Sequence, residues 1–548
     1  MVRLCDWSKY TMRIWRHRFL TAPVIVIAAW LPARAVYLPL DNRAYEDLDA
    51  LALRGYRVVP ATTIKPYSRK KVAEGLARLS ESRADMSAAE REMYDRLRAE
   101  FADDTPDGTA SPEPASENRW WLKADVNPRA VAQTADERTD LPRARRLPAT
   151  RRTLNDRARL IGTLDLTFRL TSGLSTFQRL EMDTDGLWDN DFRGHRVYGE
   201  DWGMFNATGQ VEEAYITYEN GWGSVGFGRI QRMWGPERQG SIFLSDNAPA
   251  MDMLSADVHL NWLHFSWITA ELEPEQEASG TPISRYYAGH RLVLTPFRWA
   301  EVGLSECVIY GGTNQGFSLR WSNPFVFLYG EEVNINPTNE NLLVGADISL
   351  RPIPNTEFYG AFLIDDVSID KPKLAPDRIA WSAGARWEAP FGVDRLGTGA
   401  EYVRLSRWVY NYARIAPWRH YVNKNAVLGS FLGPDGDALF LEGRWVTQDG
   451  TAIKGLLSHR RQGETRYSTP TPNYVPSDYR YPCEPFPFGI VEKRTSLEAI
   501  VEFPSFYGAS VSGGLFGSAT LNKDNKKAPR HWGWGLRLDV DWHLPVRW

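Results

Sequence analysis

What this chain has little of narrows the possibilities first. Its 548 residues include three cysteines, Cys5, Cys307 and Cys483, too few for a disulfide scaffold or a cysteine metal cluster. The N-terminal apolar run Phe19–Leu31 is 13 residues, short of the ~20 that a membrane-spanning helix needs, and no later segment comes closer. A formal net charge of −3 implies no nucleic-acid partner and no broad polybasic surface. Catalytic signatures are missing: there is no nucleophile elbow and no paired-histidine motif. Asp365 and Asp366 are neighbours on a strand-like segment, so they point to opposite faces and cannot flank one glycosidic bond. His264, His290, His420 and His459 are scattered along the chain. No enzyme, metal site or cofactor is expected.

Aromatic residues, by contrast, are abundant, with 22 Trp, 23 Tyr and 23 Phe. The last nineteen residues show how they are used. Trp532, Trp534, Leu536, Leu538, Val540 and Trp542 alternate with Gly533, Gly535, Arg537, Asp539, Asp541 and His543. Period-two alternation is a strand between an apolar and a polar environment. Three tryptophans on one strand face, with a further one at Trp548, fit the lipid-facing wall and aromatic girdles of a transmembrane barrel. A mean hydropathy of −0.41 agrees, because only alternate residues of a barrel meet lipid. Ile379 to Glu388 repeats the pattern.

About 18 strand candidates follow Arg119, beginning near Trp120, Leu160, Ser175, Val211, Trp222, Gly240, Val258, Tyr286, Trp299, Leu342, Phe358, Ile379, Leu396, Ala438, Ala452, Leu497, Phe506 and Trp532. Their connections alternate in length: short near Pro504, Asp449, 390–395, 351–355 and 296–298, long at 521–530, 461–492, 411–437, 366–377 and 311–341. Short periplasmic turns and long outer loops have this parity; a soluble meander has no reason for it. The parity holds across Trp234–Leu254 if Gly240–Ser245 is a short strand; otherwise that segment folds into the lumen. The fold expected is an all-β transmembrane barrel of about 18 antiparallel strands over residues 119–548.

Ahead of it, Arg13, Arg16, His17 and Arg18, the apolar run and Ala33-Arg34-Ala35 have the layout of a secretory signal over residues 1–35. Residues 36–102 read as a small helical unit, with helices around Tyr45–Leu53, after Ser68, and over Ala88–Phe101, the last opened by a Ser87/Glu90 capping box. Its apolar faces are expected to need the barrel rim as a partner and to plug it. A Pro-, Ser- and Asp-rich linker, 103–118, follows. The localisation implied is the outer membrane, with the helical unit and the C-terminus periplasmic. Cys307 and Cys483 are left either to pair as a disulfide or to stand as two free thiols.

One block is dense in special residues: Gly226, Gly228-Arg229, Trp234-Gly235-Pro236, Gly240-Ser241, Ser245, Asn247-Ala248-Pro249 and Asp252. Glycines on one strand face allow close approach from inside a barrel. The block, together with Thr62–Tyr67, His290-Arg291-Leu292 and Asn341–Leu350, resembles the Wzi family of capsule-assembly outer-membrane proteins. That resemblance implies an 18-stranded barrel, a helical bundle at its inner mouth, and lectin-like retention of capsular polysaccharide.

Sugar sites use aromatic faces against C–H groups and arginine for acidic substituents. On the outer loops, Trp188, Arg193, Trp321, Tyr329, Arg414, Trp418, Arg419 and Tyr421 are the candidates, weighed against simple loop packing. Arg229 and Arg238 flank Trp234 and are expected to join a lumen ion-pair network with Glu237 or Glu213. The partners expected are capsular or extracellular polysaccharide, outer-membrane lipid and the barrel-assembly machinery, with the protein a monomer. The rival reading is a porin or polysaccharide export channel; the helical unit argues against a general porin.

Overall fold

Alternating strands with polar turns close into a barrel because closure leaves no unpaired edge in lipid. The computed structural model describes residues 36–104, 121–135, 157–171, 173–184, 195–196, 208–276, 280–334, 340–367, 376–412, 417–470 and 485–547. The signal-like segment 1–35 and residues 105–118 of the linker lie outside these, while Asp103 and Asp104 close the helical unit in a short turn. The wall strands are β1 (Trp121–Ala135), β2 (Arg157–Arg169), β3 (Leu174–Asp183), β4 (Thr208–Glu219), β5 (Gly223–Ile230), β6 (Met251–Leu260), β7 (Leu263–Gln276), β8 (Pro282–Phe297) and β9 (Ala300–Thr313). They continue as β10 (Asn341–Leu350), β11 (Thr356–Asp366), β12 (Arg378–Glu388), β13 (Leu396–Leu405), β14 (Gly436–Val446), β15 (Ala452–Gln462), β16 (Glu492–Glu502), β17 (Ala509–Leu521) and β18 (His531–Trp542), the last prolonged by Leu544–Arg547. These eighteen antiparallel strands form one closed sheet. The seam is β18 on β1, from Arg129↔Asp541 to Ala135↔Gly535 and, through the prolongation, Lys123↔Arg547.

On β18 the outward Trp532, Trp534, Leu536 and Leu538 are 47–67% exposed, while Gly533, Gly535 and Asp539 are buried. The expected Gly240 strand does not exist. Met251–Gln276 is instead a hairpin that turns at Asn261-Trp262, which the long apolar stretch around Val258 disguised as one strand. That hairpin restores the parity, and Gln231–Ala250 folds into the lumen.

Helices α1 (Ala44–Leu53), α2 (Arg69–Arg78) and α3 (Ala88–Glu100) precede the wall. Ser68 caps α2 by accepting from the Lys71 amide, and Ser87 with Glu90 closes both bonds of a capping box on α3. Contrary to expectation, the helices do bury their apolar faces on one another: Leu48, Leu51, Val72, Leu76, Met93, Leu97 and Phe101 share a core of their own. Their contacts with the short-turn end of the barrel are largely ionic. Arg54 meets Asp394 at 2.6 Å, Glu92 meets Arg395 at 2.6 Å, Asp47 meets Arg444 at 2.8 Å and Glu46 meets Lys454 at 2.7 Å.

Candidate functional site at the closed outer mouth

The interior is built from the block of special residues. Ile64 and Lys65 pair antiparallel with Trp234 and Met233, and the Gly235 amide donates to the Thr63 carbonyl at 3.0 Å. The Thr62–Tyr67 motif and the Trp-Gly-Pro motif are therefore two sides of one contact. Trp234 is fully buried against Phe243. Gly235 has φ +127, and a Cβ there would stand 2.3 Å from Glu237 Oε2 and 2.7 Å from Ser241 Oγ, so the turn requires glycine. Gly226 faces Tyr37, whose hydroxyl would lie 3.5 Å from an added Cβ.

Arg238 pairs with Asp49 at 2.9 Å and Glu442 at 3.2 Å, whereas Arg229 pairs with Asp252 at 2.8 Å. Neither uses Glu237 or Glu213. Arg229 stands on the same strand face as the exposed Val225 and Phe227, outside the lumen; the arginines are separated because one lies on the wall and the other on the inserted segment.

From above, the β13–β14 loop folds down onto this segment. Ser245 Oγ donates to the Gly429 carbonyl at 2.6 Å, Asn247 Nδ2 to Val427 O at 2.7 Å and Tyr421 OH to Phe243 O at 2.7 Å; Tyr410 OH also donates to Ile242 O. Pro249 accepts from Asn423 Nδ2 at 3.4 Å. Arg285 on β8 holds the same loop by its carbonyls, at 2.6 Å to Trp418 O, 2.8 Å to His420 O and 3.0 Å to Val422 O. Burial, and then the nearby Arg285 charge, push His420 down to about 4, so its ring is neutral at ordinary pH. Cys307 is a free thiol, fully buried with its Sγ 3.6 Å from Tyr421 OH; Cys483 lies outside the described residues.

Above the seal, arginines lie on aromatic faces. Arg419 stacks on Trp418 at 4.9 Å and on Tyr412 at 5.2 Å, and Arg378 covers Tyr412 at 5.2 Å. Arg407 lies 4.5 Å from the Trp408 ring and 3.3 Å from Phe488, and Tyr467 meets His420 edge-on. Planar cations and ring faces side by side are what an acidic sugar polymer offers contacts to: C–H surfaces for the rings, carboxylates for guanidinium groups.

The sequence candidates divide. Trp418 and Arg419 sit in these stacks, Trp418 half-buried and Arg419 6% exposed. Tyr421 is fully buried in the lumen seal, not on the outer surface. Trp321 is also buried: the β9–β10 loop folds back against the outward wall, where Trp321 packs with Ala288, Val308, Tyr310 and Leu328. Tyr329 is 48% exposed on that flap beside Phe327, away from the mouth stacks. Trp188, Arg193 and Arg414 lie outside the described residues. Reading the sequence missed Arg378, Arg407, Tyr412 and Phe488. They belong to the long-loop ends already flagged, but only the fold brings three loop roots together.

Residues 124–531 match the family model for the capsule assembly protein Wzi. A 26% identical match over 200 residues, 33% of this chain, joins it to an uncharacterized 55.8 kDa protein in the cps region of Klebsiella pneumoniae, of whose length it spans 38%. The solved structure of Wzi from Escherichia coli, an outer-membrane protein involved in group 1 capsule assembly and a carbohydrate-binding β-barrel, aligns with a TM-score of 0.61 at 14% identity, covering 92% of this chain and 99% of that one. The chain belongs to the Wzi capsule assembly family and is a closed 18-stranded β-barrel.

Proposed function

We propose that the outer mouth retains an acidic capsular or extracellular polysaccharide at the cell surface without altering it chemically. The observation that carries this is the group of arginine–aromatic stacks on a mouth sealed by its own loop. Arg378, Arg407 and Arg419, with Tyr412, Trp418 and Phe488, supply both contact types that such a polymer needs. The carbohydrate-binding activity of the Escherichia coli protein supports the same reading. Against a polymer conduit stands the filled interior, where Trp234, Phe243, Tyr410 and Tyr421 pack together between mouth and helices. The helical unit acts as the inner plug, and the candidates Arg193, Trp188 and Arg414 extend the polymer surface.

The test compares purified full-length protein with Trp418→Ala and Arg419→Ala for binding of an acidic capsular oligosaccharide and of its carboxyl-reduced form. Each charge-assisted hydrogen bond lost costs ~1.5–3 kcal/mol, about ten- to a hundredfold in affinity. The Arg419 effect should shrink in high salt; equal binding of both oligosaccharides by all three proteins overturns the reading. Cells lacking the protein should still make and secrete polymer but shed it into the medium. Arrest of secretion instead would make the chain a conduit.

A further inference from the structure

The lipid-facing rim on one side of the barrel carries a row of charges at its outer edge. The ladder sets Arg404 on β13 opposite Asp437 on β14, Asp437 opposite Arg461 on β15, and Arg461 opposite Lys493 on β16. Each of the four is one residue from the long-loop end of its strand. Alternation puts Asp437, Arg461 and Lys493 on the same face as Leu439, Leu441, Leu457 and Leu497, which are 41–56% exposed on the lipid side. The neighbouring β17–β18 loop adds Lys526, Lys527 and Arg530, all exposed, with Arg530 6.0 Å over the ring of the outward Trp532.

Cations outnumber acids along this arc: Glu492 at the start of β16 pairs with Arg460 at 3.1 Å, Asp524 lies in the β17–β18 loop, and Asp437 is already engaged. Asp437 accepts from Tyr402 OH at 2.8 Å and from Arg461 at 2.9 and 2.5 Å. Arg461 and Lys493 face each other directly across the ladder, and like charges so placed repel. Among the described residues, no carboxylate lies within ion-pair distance of Lys493, Lys526 or Lys527. The arc is also local: the corresponding end of β7 presents the exposed acids Glu271 and Glu273. A balanced net charge therefore conceals a cationic segment between β13 and β18.

We propose that this arc binds the phosphate groups of an outer-leaflet glycolipid headgroup, the acyl chains lying on the leucines and Trp532 beneath. Cations directly above an apolar wall meet an anion at the membrane surface. Cross-strand neighbours ~5 Å apart let two cations share one phosphate through charge-assisted bonds, and a bound phosphate removes the Arg461–Lys493 repulsion. The outward aspect and the continuity with the lipid-facing leucines favour a lipid over the surface polymer, whose contacts are the mouth stacks.

The experiment uses full-length protein in detergent and measures, by native mass spectrometry, retention of bis-phosphorylated lipid A, of dephosphorylated lipid A, and of inorganic phosphate. A combined R404Q/K493Q/K526Q/K527Q variant is compared with wild type and with K493R, each checked for folding by heat-dependent gel mobility. Wild type and K493R should retain the phosphorylated lipid about ten- to a hundredfold more strongly than the dephosphorylated one, and the combined variant should lose that preference. Equal retention of the two lipids, or an unchanged preference in the combined variant, overturns the proposal. Inorganic phosphate bound as well as the lipid would make the arc an adventitious anion site. Loss of acidic oligosaccharide binding with lipid retention intact would assign the arc to the polymer.

Discussion

Arg54 gives the most direct test of how the helical unit is held. It sits just past α1, 3% exposed in its side chain, and reaches Asp394 Oδ1 at 2.6 Å, the Asp394 carbonyl at 2.5 Å and Glu388 at 3.3 Å on the short-turn rim. Arg54→Met keeps the stem and removes the charge. A fully buried pair broken in this way costs ~3–5 kcal/mol, and an exposed one ~0–1 kcal/mol. Asp394 is 41% and Glu388 20% exposed, so water can rehydrate both carboxylates. Asp394 also keeps the Ser87 hydroxyl at 3.2 Å. The expected loss is therefore ~2–3 kcal/mol, an opening of the docked unit roughly thirty- to a hundred-and-fiftyfold more frequent. Hydrogen exchange across residues 44–100 of the full-length protein reads this directly, and bursts of conductance in planar bilayers report the same opening. Arg83→Met is the control, because Arg83 and Asp95 are both about half exposed and pair within the helical unit. Exchange that is unchanged, or raised equally by the control, would refute ionic docking.

Acid should loosen the same interface. Burial opposes ionisation of Asp49, but Lys65, Arg386, Arg238 and Arg351 outweigh it and hold the carboxyl well below the usual aspartate range. Its folded value is depressed, so its contribution is fully present above the ordinary 3.8 and is lost as pH falls through the folded value; exchange in α1 should rise over that window and not between neutral pH and 5. Gly235→Ala should destabilise the lumen segment by ~1–3 kcal/mol, because the added methyl meets Glu237 and Ser241 at a positive φ; a thermal melt unchanged within error would count against the turn. In a Cys483→Ser background, Cys307 should resist maleimide, and Tyr421→Ala should make it reactive by loosening the loop that covers it. Ser87→Ala should cost the α3 cap about 1 kcal/mol, seen as faster exchange in its first turn.

The strand pattern, the loop parity, the three helices with the caps of the second and third, and the family resemblance were all legible in the residue order, because each depends on local periodicity or short spacing. Trp532–Trp542 announces a lipid-facing strand by itself, and Ser87 with Glu90 announces a helix start. Boundaries failed where apolar residues ran through a turn, as at Asn261-Trp262, and where a short apolar run imitated a strand, as at Ile242-Phe243-Leu244. Side-chain roles failed more often. Trp321 and Tyr421 carry the same composition signal as Trp418, yet one packs on the outer wall, one seals the lumen and one reaches the mouth.

The sequence alone determined that this chain forms a barrel, how its strands alternate and which end carries the long loops, since strand amphipathicity and turn chemistry act over a few residues. Only the tertiary structure decided which loops fold inward, which arginines find aromatic faces and where like charges meet across the ladder. Those outcomes depend on pairing between residues far apart in the chain, Thr63 with Gly235, Tyr421 with Phe243 and Arg461 with Lys493, and no local pattern encodes which distant partner a closed sheet will bring alongside.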